Sequence, residues 1–378
     1  MTGPVAADIA DEILGKTRRG MLEGGFDVVV ATSPENVAYT SGASPPSQKT
    51  VRSRLAAAIV PLQGETELVA VSLEGPVVRE QSRLDSVELY EEFVDDPVDV
   101  VARSLLERGL EAATIGIEIT HLSHADYVKL AAALPKARLL PADGVLAELR
   151  TIKTAAEIAR IREIGTAAEN ITKEVFASFG AGASEREIAT FVAERYADAG
   201  GDGLTMLVVG SGVRSAAVNA PPTGRVLERG DILRLDVIGT KGHYHSDVAR
   251  TAVVGEPSDD QQRTYDLLLD VHRRCLDALR PGVLSSDVYR IYSEALELAG
   301  LPSYHFVGHG LGITLHEEPF VNALSSIPLA EGMVLCIEPL TLLEGRFGIQ
   351  IEDEVLITAD GCEPLTEAAE LPRLVENA

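Results

Sequence analysis

The sequence contains no tryptophan, and aromatic residues make up only 4% of it. A core without large rings must rest on Leu, Val, Ile and Ala, and a hydrophobic content of 46% supplies them. Cysteine is scarce too. Cys275, Cys336 and Cys362 are odd in number and show no Cys-x-x-Cys spacing, which argues against a disulfide framework. Positive charge is short: 33 Lys and Arg stand against 58 Asp and Glu, a formal net charge of -25. Such a surface repels nucleic-acid phosphates and anionic membranes. No apolar run approaches the ~20 residues needed to span a bilayer. The opening MTGPVAADIADEILGK carries acids where a secretory signal requires a basic start and an apolar stretch. The expectation is a cytoplasmic protein with no nucleic-acid or membrane partner.

What is present points to an α/β chain in two parts, since 378 residues exceed one ordinary core. Residues 1–150 alternate strand-like and helix-like segments. A helix is expected over 5–23, a strand over Phe26–Ala31, and a hairpin of Leu55–Leu62 with Glu67–Val71 around Gln63-Gly64. Helices at 97–108 and 123–134 flank a strand near Thr114–Glu118. This half shows no cluster of catalytic groups. The second part, 151–378, opens with Thr154, placed to cap a helix with Glu157 three positions on. Ile158, Ile161, Ala168, Ile171 and Val175 then recur at helical steps. Further helices are expected at about 184–199, 258–280 and 284–298.

The chemistry lies in two ribbons of the second part. In Gly230-Asp-Ile-Leu-Arg-Leu-Asp-Val-Ile, alternation puts Leu233, Leu235 and Val237 on one strand face and Asp236 on the other. A turn expected at Gly239–Gly242 returns the chain through Asp247. The layout recurs where Glu338 ends the strand from Met333 and Glu352 lies in a returning strand from Gly348. Carboxylates gathered within a few Å repel by up to about 4 kcal/mol per pair at an effective dielectric near 20. Such a group persists when protonated or matched by cations. Two divalent cations would cancel four carboxylates. With one imidazole, for which His309 in Gly308-His-Gly-Leu-Gly312 is the candidate, the donor set suits Mn, Co, Fe or Zn. Paired ions of this kind serve hydrolysis.

The joint pattern resembles the pita-bread metallopeptidase family of methionine aminopeptidase, prolidase, aminopeptidase P and creatinase, over nearly the whole chain. Gly25-Phe-Asp-Val-Val-Val-Ala and Pro34-Glu-Asn-Val-Ala-Tyr-Thr-Ser-Gly42 are similar to the amino-terminal domain of prolidases and creatinases. Leu149-Arg-Thr-Ile-Lys-Thr-Ala-Ala-Glu-Ile resembles their linker. Gly308-His-Gly, His316-Glu-Glu-Pro319, Glu338-Pro and Ile351-Glu-Asp353 match the catalytic domain, as does the Asp236/Asp247 spacing. The resemblance implies a creatinase-like α/β domain (1–150) followed by a pita-bread domain (151–378) with a curved antiparallel sheet backed by helices, and a homodimer. It implies two divalent ions, Asp236 holding one, His309 and Glu338 the other, and Asp247 and Glu352 bridging them. A metal-held hydroxide would be the nucleophile, with Glu338 as its base. His316 would contact the scissile carbonyl region and His305 the substrate. Tyr244 and His245 read as packing or outer residues.

Three positions depart from that pattern. Asn219 stands where most relatives have a substrate-contacting histidine, and it cannot carry a proton. Gln350 stands where prolyl-peptide enzymes commonly have arginine, on the same face as Glu352. Ile238 replaces a small residue and is expected to pack. The resemblance therefore implies a hydrolase of C–N amide bonds, best described as an Xaa-Pro dipeptidase or aminopeptidase P type enzyme taking a short peptide. A non-peptide small amide or a lyase substrate is the alternative that Asn219 and Gln350 keep open, and a binding module without catalysis is the third.

Overall fold

The computed structural model describes residues 5–51 and 53–375. The chain divides into two compact units, Met1–Arg150 and Thr151–Ala378.

In the first unit, strands β1 (Val28–Ala31), β2 (Ala57–Pro61), β3 (Glu67–Val71), β4 (Ser86–Tyr90), β5 (Thr114–Ile117) and β6 (Arg138–Pro141) form one sheet in the order β4-β3-β2-β1-β5-β6. The sheet is mixed: β1 runs antiparallel to β2 and parallel to β5. Both faces of its centre are covered, so β1 reads as the unbroken apolar run Val-Val-Val-Ala. Helices α1 (Val5–Gly24), α2 (Pro34–Ser41), α3 (Gly75–Gln81), α4 (Pro97–Glu107), α5 (His124–Ala133) and α6 (Asp143–Thr151) supply the cover. Val98, Val101 and Leu105 of α4 pack with Val30, Ile59 and Ile115 on one face. Val37 and Val78 pack with Leu68 and Ala70 on the other. Ser33, Asp96 and Ser123 cap α2, α4 and α5 through their side-chain oxygens.

The second unit begins with α7 (Ala155–Ser178) and α8 (Glu185–Asp198). Thr154 and Glu157 form the expected reciprocal cap, and Ser184 with Glu187 repeats it. Strands β7 (Gly203–Ser211), β8 (Ile232–Lys241) and β9 (Tyr244–Val254) follow, then α9 (Asp259–Ala278) and α10 (Ser285–Ala299). The remaining strands are β10 (Phe306–Gly310), β11 (Glu317–Asn322), β12 (Val334–Ile337), β13 (Leu340–Leu343), β14 (Phe347–Gln350), β15 (Asp353–Ile357), β16 (Cys362–Pro364) and β17 (Arg373–Leu374). They form sheets ordered β17-β9-β8-β7, β11-β10-β12-β15-β16 and β13-β14. All pairs are antiparallel except β17 with β9.

Alternation along these strands separates a helix-facing side from a polar side. Leu233, Leu235 and Val237 of β8 and Val248 of β9 pack on Ala168, Ile171 and Val175 of α7. Leu335, Ile337, Ile349 and Ile351 pack with Leu268, Tyr292 and Leu296 of α9 and α10. The intervening residues Asp236, Asp247, Cys336 and Gln350 are left on the opposite faces.

Two local readings need correction. The β8–β9 turn is not Gly239–Gly242: the ladder continues to Lys241 opposite Tyr244. The reversal is made by Gly242 (φ 57°) and His243 (φ 74°), the left-handed pair that a two-residue hairpin requires. The second ribbon is not a continuous hairpin. Pro339 cannot donate to a ladder, and the ribbon breaks there into β12/β15 and β13/β14. Register survives the break, since Ile337 faces Asp353 and Leu340 faces Gln350. Glu338 therefore falls opposite Glu352, both in the bend.

Removing the cap that starts the second unit, Thr154→Ala, is expected to cost about 1 kcal/mol. Denaturant unfolding would register it as a lower midpoint at unchanged slope, and an unchanged midpoint would show the cap to be dispensable.

Candidate metal centre

Three structural devices bring the acids and the imidazole together. The β8–β9 ladder sets Asp236 opposite Ala249 and Asp247 opposite Ile238, so the two aspartates are diagonal neighbours on one face. The bend at Pro339 carries Glu338 and Glu352. Strand β10 lies beside β12 with His309 opposite Cys336. The glycines around His309 are there for space: a Cβ on Gly308 would lie 2.2 Å from the Cys336 carbonyl oxygen, and one on Gly310 2.5 Å from that of Glu318. Only with bare backbone on both sides can β10 close on its neighbours.

The result is a buried cluster, with Asp236 6%, Asp247 3%, His309 1%, Glu338 7% and Glu352 1% exposed. His309 Nε2 lies 3.3 Å from Glu338 Oε1 and 3.7 Å from Asp247 Oδ2. Neither approach has hydrogen-bond geometry. Among the described residues, Asp236 Oδ1, Asp247 Oδ1, His309 Nε2 and Glu352 Oε1 are buried with no hydrogen-bond partner. Buried polar atoms that converge without bonding one another fit ligands of a common cation. One donor atom from each of Asp247, His309, Cys336 and Glu352 lies within 4.8 Å of the others. Sequence reasoning passed over Cys336, which alternation from Glu338 could have marked. Burial, and then Asp247 and Glu352, push its thiol well above the usual range. Its Sγ also lies 4.0 Å from the Asp247 carbonyl oxygen.

The carboxylates are strained electrostatically. Burial, partly offset by Arg234 and reinforced by Glu338, raises Asp236 to about 6. Burial, then Asp236 and Glu338, pushes Asp247 well above the carboxylate range; burial, then Asp247 and Glu338, does the same to Glu352.

His316 stacks on His309 with ring centroids 3.9 Å apart and 27° between planes. Desolvation, then His309, lowers it to about 4, although the residue is exposed to solvent. The two histidines line a pocket of about 610 Å³ with His305, Phe306, Phe320, Asn322, Ala323 and Leu324. His305 is exposed at its wall. Asn219 is exposed on the segment after β7. Gln350 is 3% exposed, and its Nε2 donates to Glu338 Oε2 at 3.2 Å and Glu352 Oε2 at 3.3 Å. Ile238 is buried across from Asp247. The Tyr244 hydroxyl donates to Glu157. A larger cavity, about 810 Å³, lies in the first unit. Its Arg54 is already paired with Glu92 at 2.8 Å, and the carboxylate cluster is in the other unit, so the smaller pocket is the one that bears on chemistry.

Other supporting residues were invisible to motif reading. Buried Lys153 pairs with Glu317 at 3.3 Å, which fixes the residue next to His316. Arg250 donates to the Glu352 carbonyl and to Asp353 Oδ1 at 2.6 Å. Arg234 donates to Gln350 Oε1 at 2.6 Å. These pairs join residues about 100 or more positions apart, so no local pattern announces them.

Antiparallel sheets backed by helices, with a buried set of acids and an imidazole beside an open pocket, define a metallohydrolase. The chain matches the profile of metallopeptidase family M24 over residues 159–359 and that of the creatinase/prolidase N-terminal domain over residues 14–152. It is 31% identical over 360 residues to an Xaa-Pro dipeptidase of Pyrococcus furiosus, covering 94% of this chain and 98% of that one. It is 32% identical to the probable dipeptidase PepE of Mycobacterium tuberculosis, covering 94% of each. The crystal structure of dipeptidase PepE from Mycobacterium ulcerans superimposes with a TM-score of 0.84 at 29% identity, covering 98% of this chain and 99% of that one. This chain belongs to metallopeptidase family M24, with the two-domain creatinase-like and pita-bread architecture. It is an enzyme of the divalent-metal-dependent class. Among the described residues no helix is long and apolar enough to cross a membrane.

Asp236 titrates near 6 when folded without metal and near 3.8 when unfolded, so between those values the folded chain holds the extra proton. That group's contribution to metal-free stability falls as pH rises through the interval, and a cation must displace the proton to bind. Divalent-ion affinity is expected to rise as pH increases through about 6, with protons released. Calorimetry at this pH in two buffers of different ionisation enthalpy measures the release, and identical heats would contradict it.

Proposed function

We propose that the chain is a dinuclear metal-dependent amidohydrolase of the Xaa-Pro dipeptidase or aminopeptidase P type. The observation that carries this reading is the convergence of Asp236, Asp247, Glu338, Glu352 and His309 with four unpartnered buried donor atoms. The names of the relatives, Xaa-Pro dipeptidase and dipeptidase, support the substrate class. Asp236 would hold one ion, His309 and Glu338 the other, and Asp247 and Glu352 both. Mn, Co, Zn and Fe all suit such donors. Bound there, two divalent ions polarise a carbonyl and acidify a water at neutral pH.

The chain's own residues do the rest. Glu338, with one oxygen toward His309 and the other receiving Gln350, is placed to take a proton from the attacking water. Desolvation favours the neutral form of His316, which can donate one hydrogen bond to a substrate oxygen without adding charge. Phe306, Phe320 and Leu324 offer apolar surface that suits a prolyl ring, with His305 beside them to contact substrate. Asn219 can hydrogen-bond substrate but cannot shuttle a proton. A cytoplasmic homodimer completes the proposal, on the family resemblance alone.

A second reading has its own support. Among the described residues lining the pocket there is no Lys or Arg, so a free substrate carboxylate finds no cation in that wall. An uncharged small amide would suit it better than a dipeptide.

Metal analysis after reconstitution is expected to give about two ions per chain, with hydrolysis of Xaa-Pro substrates. Less than one ion per chain, or no cleavage of any Xaa-Pro dipeptide or longer peptide, would sink the first reading. Asp247→Asn is expected to lose more activity than the about 10–100-fold that outer partners of a metal site cost. Comparing an Xaa-Pro dipeptide with its C-terminal amide separates the readings, since faster cleavage of the amide favours the second.

A further inference from the structure

The guanidinium that serves the acids comes from β8 and not from position 350. Arg234 precedes Asp236 by two residues, shares its strand face, and is 1% exposed. Its Nε donates to the Ser215 carbonyl at 3.0 Å, its Nη2 to the carbonyls of Ala217 and Val218, and its Nη1 to Gln350 Oε1. Gln350 in turn presents Nε2 to both Glu338 and Glu352. A carboxamide can point either way, and its neighbours decide which end faces what. Reversed, Gln350 would set its oxygen against two carboxylates and its NH2 against a guanidinium, turning three attractive contacts into repulsive ones.

We infer that Arg234 is a positioning residue that locks the Gln350 amide with its NH2 on Glu338 and Glu352, and ties the 215–219 segment, which carries Asn219, to the same point. This inference rests on the proposed metal role of those two glutamates. One buried cation thus sets both the acids and the neighbouring substrate-side segment. The arrangement also has an electrostatic consequence. A guanidinium at position 350 would bring a full positive charge against the acids and compete with divalent ions for them. The neutral amide delivers the hydrogen bonds to Glu338 and Glu352, while the guanidinium of Arg234 is bonded to three backbone carbonyls and to the Gln350 oxygen.

The test is titration of the purified full-length chain with Co(II), followed by calorimetry and by the visible spectrum of the bound ion. The proteins compared are the wild type, Arg234→Lys, Gln350→Met and the double variant. Gln350→Met is expected to weaken Co(II) by about 10–100-fold and to alter the spectrum, as loss of an outer partner does. Arg234→Lys should act in the same direction, and the double variant should be no weaker than the worse single one, because one residue acts through the other. Additive losses in the double variant overturn the inference, as does a Gln350→Met affinity within about twofold of wild type. Should Arg234→Lys fail to fold, Gln350→Met alone decides by that criterion. A wild type that binds no Co(II) overturns the metal reading and this inference together. Additive losses on a metal-binding wild type overturn this inference alone.

Discussion

Four carboxylates buried in one place repel one another, and most of what is distinctive in the second unit is an arrangement for tolerating that repulsion. Asp236, Asp247, Glu338 and Glu352 have given up water, which stabilises a charged carboxylate far better than a protein interior does. Without positive charge the cluster is held at the cost of bound protons, as the upward shifts of Asp236, Asp247 and Glu352 show. Such a site is poised for divalent cations, because they supply opposite charge and accept the lone pairs left unbonded. The destabilisation and the function have one physical source.

The scaffold meets this demand through alternation and one deliberate break. Each strand buries its apolar residues against α7, α9 or α10, and so must turn the intervening residues to the other face. Pairing brings Asp236 beside Asp247, and the proline bend brings Glu338 opposite Glu352. The glycines of β10 then let His309 approach to within 3.3 Å of Glu338. None of these devices is specific to metal chemistry. Their coincidence is.

Cations fixed by the protein form a layer around the acids. Arg250 fixes the Glu352 backbone, Lys153 holds Glu317 beside His316, and Arg234 reaches Glu338 and Glu352 through Gln350. In each case the charge is spent on a carbonyl, a neighbouring acid or an amide, and none sits directly on the cluster oxygens. The acids are thereby oriented without being neutralised, which leaves them for exogenous ions. The same economy bears on specificity, because among the described residues the pocket beside His309 and His316 is lined by imidazoles, apolar groups and the Asn322 amide, with no fixed cation.

Much of this was legible in the residues. Capping at Thr154, the helix periods and the apolar parity of β8 follow from short-range rules of side-chain direction and hydrogen bonding, which act within a few positions, whereas the five proposed ligands rest on the joint motif pattern and the family resemblance. The β8–β9 turn was misplaced by two residues because Gly239 and Gly242 are both plausible turn formers, and the ladder beyond Gly239 depends on partners in β9. The second ribbon looked continuous because a bend that keeps register leaves no mark on alternation. Gln350 could be recognised as a departure, but its consequence could not. Arg234 lies 116 positions away and reads locally as one charged residue in a strand. The sequence by itself determined which side chains share a strand face, since that is a matter of backbone period. Only the tertiary structure decided which guanidinium serves the acids and how they meet, because pairing across long separations is set by packing of whole sheets.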